Sequence, residues 1–355
     1  MQEDSLMKWL IERLKYLTVR RFLNRAVSEF DSALRRTRVA SYPVFLIVEP
    51  CNFCNLKCPL CPTGQRLPAE RGKMTMETFI SIIDQLSPYC WHLNLFYLGE
   101  PLLCENLPVM IDYARWRKME VSVSSNLNLL SEEMADRLID ANLDHLIVSL
   151  DGTSQEIYEK YRIGGNFNKV IDNIILLNQK KKQKVSPYPR IEIQFVVFKH
   201  NEQEVPLIKE LAAKLGVGFY LREGTLGGKE QSPPLTKDYS LAEQWLSPNK
   251  EYHKGYDYFE RKPYIQEGYC GYLWKIATIN WDGSVFPCCW VFEGKYKYGN
   301  IMEQSFKTIW NNELMQSSRS LFKKNKRSRP DAETGGPKTI CYQCKMFKHI
   351  CNDQC

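Results

Sequence analysis

Short apolar runs that stop at small or polar residues recur along the chain, and longer amphipathic stretches fill the gaps between them. The runs at residues 45–48, 93–97, 121–124, 145–150, 191–198 and 219–221 are rich in Val, Ile, Leu and aromatics, and their length and composition predict strands. The stretches 75–86, 107–117, 131–141, 154–161 with 170–178, and 202–215 carry apolar residues at helical spacing. Ser131 and Ser154 stand where side chains cap a helix N-terminus, and Gly216 stands where a helix stops. Six strands alternating with helices predict an α/β fold. Its sheet is parallel and covered by helices, either doubly wound or a partial barrel. In both architectures the chemistry collects at the carboxyl ends of the strands.

Beyond residue 223 the pattern changes. Residues 224–262, with Gly227-Gly228 and Pro233-Pro234, read as a linker or lid. Residues 276–280 and 285–286 flank Trp281-Asp282-Gly283-Ser284, which predicts a hairpin, and residues 305–314 predict a helix with Phe306, Ile309 and Trp310 on one face. At the other end, Leu6, Leu10, Leu14 and Leu17 keep helical spacing, and the first forty residues hold nine Lys/Arg against five Asp/Glu. This basic extension is expected to pack on the main domain, with a membrane-surface or partner helix as the other reading. The expected division is therefore 1–42, 43–223, 224–265 and 266–355.

Composition narrows the class. Of the 355 residues, 44% are hydrophobic and 25% charged, which is the globular average. No apolar run reaches membrane-spanning length, and the start MQEDSLMKWLIERLK is not a signal peptide, so the expected location is the cytoplasm. The net charge of +7 is mild, and the basic runs at 180–182 and 323–329 lack interleaved aromatics, which argues against a nucleic-acid partner.

The thirteen cysteines are too many for a cytoplasmic chain of this length unless they bind metal or act chemically. Four of them, Cys51, Cys54, Cys58 and Cys61, lie just after the first predicted strand, and seven, Cys270, Cys288, Cys289, Cys341, Cys344, Cys351 and Cys355, lie in the last quarter. Cys54, Cys58 and Cys61 offer three thiolates on one loop, which suits an iron–sulfur cluster with an open iron; a zinc site using all four is the alternative. Cys270, Cys288, Cys341 and Cys344 make a complete second set, for an iron–sulfur cluster or a structural zinc. The predicted strands end in Leu98-Gly99-Glu100-Pro101, Ser125-Asn126 and Ser149-Leu150-Asp151-Gly152, and the fifth contains Gln194. Each of these segments alone is ordinary turn chemistry; on one rim, beside a three-thiolate loop, they form a binding site.

Cys54-x3-Cys58-x2-Cys61, Leu98-Gly99-Glu100-Pro101 and VSLDGTSQEIYEKYR together resemble the radical S-adenosylmethionine (radical SAM) enzymes over residues 43–223. The resemblance implies a partial (β/α)6 TIM-like barrel. It also implies that three cysteines hold a [4Fe-4S] cluster whose fourth iron binds S-adenosylmethionine, which is cleaved to a 5′-deoxyadenosyl radical. Residue by residue it gives Leu60 an adenine contact, Gly99 and Glu100 the amino group, Ser149 the ribose or carboxylate and Arg162 the carboxylate, with Asn126 and Gln194 on the same rim. Leu98 stands where the family usually has its first glycine, and Leu60 replaces the more common aromatic.

Cys270-x12-Gly283-x4-Cys288, Tyr298-Gly299-Asn300-Ile301 and Cys341-x2-Cys344 resemble the SPASM/twitch extension of the same enzymes. That implies a small cysteine-rich α+β domain holding at least one auxiliary [4Fe-4S] cluster, with Cys351, Cys355 and Cys289 as the residues on which a second would depend. The expected activity is hydrogen-atom abstraction from a polar substrate, of carbohydrate or aminocyclitol type, leading to dehydrogenation or epimerisation. A peptide maturase is the alternative, and an electron-transfer or assembly protein is the alternative from another class. The forty residues ahead of Pro43 are too few and too helical for an added peptide-recognition domain, which tilts the expectation to small substrates. Flavodoxin or ferredoxin is the implied reductant, and Cys104, just past Pro101, is the candidate hydrogen donor to a substrate radical, or an inert side chain beneath the loop.

Overall fold

The computed structural model describes residues 15–65, 71–226, 240–252, 256–257, 262–263, 270–323 and 337–344. Cys351 and Cys355, the glycine and proline pairs at 227–234, Leu6, Leu10 and Leu14, and the basic run beyond Lys323 lie outside the described residues.

Eleven strands are described. They are β1 (Phe45–Val48), β2 (His92–Asn94), β3 (Glu120–Ser125), β4 (His145–Ser149), β5 (Arg190–Val197), β6 (Gly218–Glu223), β7 (Tyr256–Asp257), β8 (Lys262–Pro263), β9 (Ile276–Ile279), β10 (Ser284–Phe286) and β11 (Gly299–Asn300). β7 and β8 form a separate antiparallel ribbon, and the other nine form one sheet in the order β11-β10-β9-β1-β2-β3-β4-β5-β6. β1 to β6 run parallel in simple chain order. A doubly wound sheet reverses its order at a switch point, so this order settles the choice for a barrel wall. The wall is partial: β1 pairs on its far side with β9 rather than with β6.

Alternation along the strands separates two faces. Leu46, Leu93, Val121, Val123, Leu146 and Ile193 belong to the main apolar cluster with Phe79, Ile82, Met110, Leu138 and Ile174 of the covering helices. The register places Asn94, Ser122, His145, Glu192 and Thr278 on the opposite face. That face is therefore polar, and His145 pairs with Glu192 at 3.0 Å and His92 with Glu120 at 2.9 Å across it.

The helices begin where the sequence offers caps. Thr75, Ser131, Ser154 and Asn166 each accept a backbone N–H three residues on, and Gly216 closes helix Val205–Leu215 at φ 67°. Two expectations change in detail. β2 stops at Asn94, short of the expected 97, because the chain turns to pass against the Cys51 loop. The helix expected at 305–314 is two, Phe306–Trp310 and Glu313–Ser320, because Asn312 caps the second by accepting from the Met315 N–H.

The predicted hairpin is present as β9 and β10, with Gly283 at φ 83° and Asp282 accepting from the Ser284 N–H. It continues the barrel's sheet through four rungs with β1. Arg319 ties the C-terminal helices to this frame. Its buried guanidinium donates to the carbonyls of Leu273, Thr37 and Trp310, and burial, eased by Asp31, lowers its pKa to about 9. Among the described residues no helix is long and apolar enough to cross a membrane.

Candidate functional site

β1 runs into Glu49 and then the cysteine loop. Burial raises the pKa of Cys54 to about 12 and of Cys58 to about 11, and the Cys61 thiol adds to both shifts, so the three thiols are neighbours. They interact without being gathered tightly enough for a single metal ion among the described residues. The groups around them are donors. The Leu56 N–H points at Cys54 Sγ at 3.4 Å, the Asn126 side-chain amide at the same sulfur at 3.6 Å, and Arg162 Nη1 at Cys58 Sγ at 4.0 Å. Donors aimed at sulfur suit thiolates and have no use for neutral thiols, so this set fits a cluster held by Cys54, Cys58 and Cys61. Cys51 stays apart from that duty: its Sγ donates to the Glu100 carbonyl at 3.1 Å.

Close packing of backbone holds the loop. A Cβ on Gly99 would lie 2.0 Å from the Cys51 carbonyl oxygen, so only glycine lets the end of β2 pass there. Glu100 is fully buried and raised in pKa by that burial, against which Ser125 Oγ at 2.7 Å, the Asn126 N–H at 2.8 Å and the Leu102 N–H at 3.0 Å donate to its carboxylate. These three bonds join the ends of β2 and β3 and leave the carboxylate one further acceptor direction, the one an amino group would use. Asn126 donates to Asn55 Oδ1 at 2.9 Å and so touches the cysteine loop directly.

Arg162 Nε donates to Asp151 Oδ2 at 2.6 Å. Burial lowers the guanidinium's pKa, but Asp151 and then Cys58 carry it well above the usual value. Asp151 also accepts the Val196 N–H at 2.7 Å, so it locks β4 to β5. Ser149 is buried opposite Gln194 in the β4–β5 register, and Gln194 Oε1 accepts from Tyr220 Oη at 2.8 Å and Arg222 Nη1 at 3.2 Å. Leu60 packs in a second apolar cluster with Leu56, Cys58, Tyr161, Phe198, Leu226 and Leu246. Cys104 is buried within the main apolar cluster.

A second group of thiols lies in the C-terminal part of the chain. Burial raises Cys270 to about 12, with the Cys341 and Cys344 thiols adding to the shift; burial raises Cys288 well above its ordinary value, with Cys289, Cys341 and Cys270 adding. Tyr298 Oη lies 3.7 Å from Cys341 Sγ. Cys270, Cys288, Cys341 and Cys344 are thus neighbours and suit a four-thiolate cluster, though like the first group they are not gathered tightly enough for a single metal ion among the described residues. Cys289 Sγ donates to Tyr272 Oη at 3.1 Å, and burial raises its pKa, opposed by Tyr272 and then by Arg222 of β6.

Sequence reasoning missed several groups near the end of β1. Tyr97, just past β2, is half-buried and donates from its hydroxyl to the Cys289 carbonyl at 2.8 Å. Glu49, at the end of β1, is fully buried and raised to about 8 by burial, against which the backbone at Leu98 and Trp281 lowers it. Thr278 Oγ1 on neighbouring β9 and Asn280 Oδ1 just past it are buried without a hydrogen-bond partner among the described residues. A carboxylate directly after an apolar strand was the available signal for Glu49. Trp245, from the expected linker, packs on Tyr161 and Phe198 beside the cysteine loop.

Comparisons with known proteins agree with this geometry. A model of the radical SAM superfamily matches residues 48–212, and a model of an iron–sulfur cluster-binding domain, SPASM, matches residues 270–345. The tungsten-containing aldehyde ferredoxin oxidoreductase cofactor-modifying protein of Pyrococcus furiosus is 27% identical over 303 residues, 76% of this chain and 81% of that protein. The mycofactocin maturase MftC of Mycobacterium tuberculosis is 22% identical over 307 residues, 81% and 74% of the two chains. The PqqA peptide cyclase of Granulibacter bethesdensis is 24% identical over 296 residues, 76% and 74%. Among solved structures, Streptococcus suis SuiB bound to S-adenosylmethionine superposes with a TM-score of 0.64 at 16% identity, covering 93% of this chain and 76% of that one, which shows a shared fold.

Proposed function

Because the chain belongs to the radical SAM enzymes that carry a C-terminal SPASM domain, we propose that it abstracts a hydrogen atom from a peptide substrate and matures it by oxidation, cross-linking or epimerisation. Loaded with its clusters and S-adenosylmethionine, such a site supplies a 5′-deoxyadenosyl radical and a second redox centre for the remaining electron of an oxidation. The observation that carries the reading is the pair of thiol groups, Cys54, Cys58, Cys61 and Cys270, Cys288, Cys341, Cys344, on segments that flank β1 and β9 of one sheet. The peptide class rests on relatives: the PqqA cyclase acts on a peptide by its name, and no relative named above supports the carbohydrate or aminocyclitol expectation.

The chain's own residues have separable tasks. Arg162 and Asn126 donate toward the sulfurs of Cys58 and Cys54 and favour their charged forms. Glu100 keeps one acceptor direction for the amino group of S-adenosylmethionine, while Ser149 and Gln194 stand on the same rim for its ribose and carboxylate. Leu60 and its apolar neighbours exclude water from that side of the loop. The boundaries 43–223 for the barrel and 266–355 for the auxiliary part follow the same reading.

The test is anaerobic reconstitution of wild type and the double variant Cys54→Ala/Cys58→Ala, with iron and sulfide counts and an assay for 5′-deoxyadenosine. The variant should lose about half of the iron, since one of two equal clusters goes, and all of the 5′-deoxyadenosine. Full iron content or continued 5′-deoxyadenosine formation in the variant overturns the assignment. Offering peptides and aminocyclitols in parallel, with product mass as the readout, decides the substrate class.

A further inference from the structure

Helix Val19–Ala33 is turned the opposite way from a helix that covers a core. Its buried residues, Arg21, Asn24, Ser28, Asp31 and Ser32, are all polar. Val19, Phe22, Leu23, Val27, Phe30 and Leu34 are 38% to 79% exposed. At helical spacing these six lie on one continuous arc of about 140°, opposite the buried polar side.

Hydrogen bonds fix this orientation. Arg21 donates to the carbonyls of Tyr16, Ser87, Arg117 and Lys118. Asn24 exchanges bonds with the Tyr42 backbone at 2.8 and 3.1 Å, and Asp31 accepts from the Ala40 and Ser41 N–H groups at 2.9 and 3.0 Å. Rolling the helix to bury its apolar side would unpair all of these buried groups, so the apolar side stays outward.

The charge around the arc is positive. Exposed Arg20 and Arg25 flank it on its two sides, Lys15 precedes the helix, and Arg38 follows it, while Arg36 pairs with Asp31 at 3.4 Å. Glu29, the exposed acid of the same helix, is neutralised by Lys275 at 2.6 Å. Trp116, 68% exposed, stands next to the Arg117 whose carbonyl holds Arg21. An apolar stripe between cationic borders, with an exposed tryptophan alongside, is complementary to an anionic bilayer surface. A second copy of this chain would set the same cationic borders against each other across a two-fold axis.

We propose that helix Val19–Ala33 docks this enzyme on an anionic membrane surface, lying along it with Phe22, Leu23 and Phe30 at the headgroup–acyl boundary. The test is co-sedimentation of the full-length protein with phosphatidylcholine vesicles and with vesicles containing phosphatidylglycerol. Wild type should pellet with the phosphatidylglycerol vesicles and less so at high salt. Phe22→Ser/Phe30→Ser should lower the partition coefficient about tenfold or more with an unchanged circular dichroism spectrum, and Arg20→Gln/Arg25→Gln should reduce the preference for anionic lipid. No sedimentation, or sedimentation unaffected by Phe22→Ser/Phe30→Ser, overturns the proposal. So does a wild-type dimer that this variant dissociates, which would assign the face to a second copy, or binding gained only on deletion of residues 1–14, which would assign it to that segment. Lipid binding and radical chemistry are read out independently, so failure of one does not touch the other.

Discussion

Glu49 sits at the end of the first barrel strand, fully buried, and that burial raises its pKa from 4.5 to about 8 against the backbone at Leu98 and Trp281. Between those values the folded chain keeps a proton that the unfolded chain has released, so stability falls as pH rises through this window, by at most about 1.4 kcal/mol per unit. Glu49→Gln should remove that slope. In anaerobic thermal melts of the reconstituted protein, the variant should gain on wild type from about pH 5 to pH 8, and parallel curves would refute the assignment. Gly99 is the second decisive residue. Gly99→Ala places a Cβ against the backbone oxygens of Cys51 and Phe53, at 2.0 and 2.9 Å, where nothing flexible can yield. It should cost about 1–3 kcal/mol and deplete iron from the first site, while the four-thiol site keeps its own; unchanged iron and melting temperature would count against the close approach. Of these two residues only Gly99 was legible in the sequence, because a glycine before a carboxylate at a strand end has a local meaning. Glu49 matters through burial by distant β9 and the neighbouring loops, which no local pattern reports. Glu100, Arg162 and Asn126 were found as residues, but their internal partners, Ser125, Asp151 and Cys54, appear only in three dimensions.

Among the elements, those with caps and clean periodicity were readable, and the short ones were not. The helix Ser240–Trp245 lies in a stretch that reads as a linker, yet its Ala242 and the adjoining Leu246 are buried in the apolar cluster that also holds Cys58 and Leu60. Trp245 meets Tyr161 and Phe198 edge-on, at ring distances of 5.8 and 6.2 Å. This element packs against the cysteine loop. Trp245→Ala should therefore speed loss of the first cluster in air and weaken S-adenosylmethionine binding by about tenfold, roughly the 1.4 kcal/mol expected for part of a buried aromatic. The absorbance of the four-thiol cluster should decay at the wild-type rate; equal acceleration of both would mean a global loss of stability instead. The split of the C-terminal helix at Asn312 was likewise hidden, since Phe306, Ile309 and Trp310 keep their spacing up to the break and only the Asn312 side chain ends it.

At the scale of the molecule, alternation of strands and helices predicts a parallel sheet but not its order, and the pairing of β1 with β9 joins residues more than two hundred positions apart. Nothing local in Phe45–Val48 distinguishes a strand flanked by β2 alone from one flanked on both sides. The consequence is mechanical: the hairpin that follows Cys270 is an integral part of the barrel's sheet, so the four-thiol site and the three-thiol loop are referred to the same central strand. Arg319 reinforces the union by holding carbonyls of Thr37, Trp310 and Leu273 from three separate parts of the chain. A chain cut after residue 265 would leave β1 with one unpaired edge next to an uncovered Leu46 and Val48, the arrangement that invites edge-to-edge association. Such a fragment should accumulate as insoluble protein, and in any soluble fraction the amides of Phe45–Val48 should exchange with solvent far faster than in the full chain, where they are held between two neighbours. If the fragment instead stays monomeric, loads iron at Cys54, Cys58 and Cys61, and protects β1 as the full chain does, the barrel is self-sufficient and the shared sheet does not couple the two thiol sites.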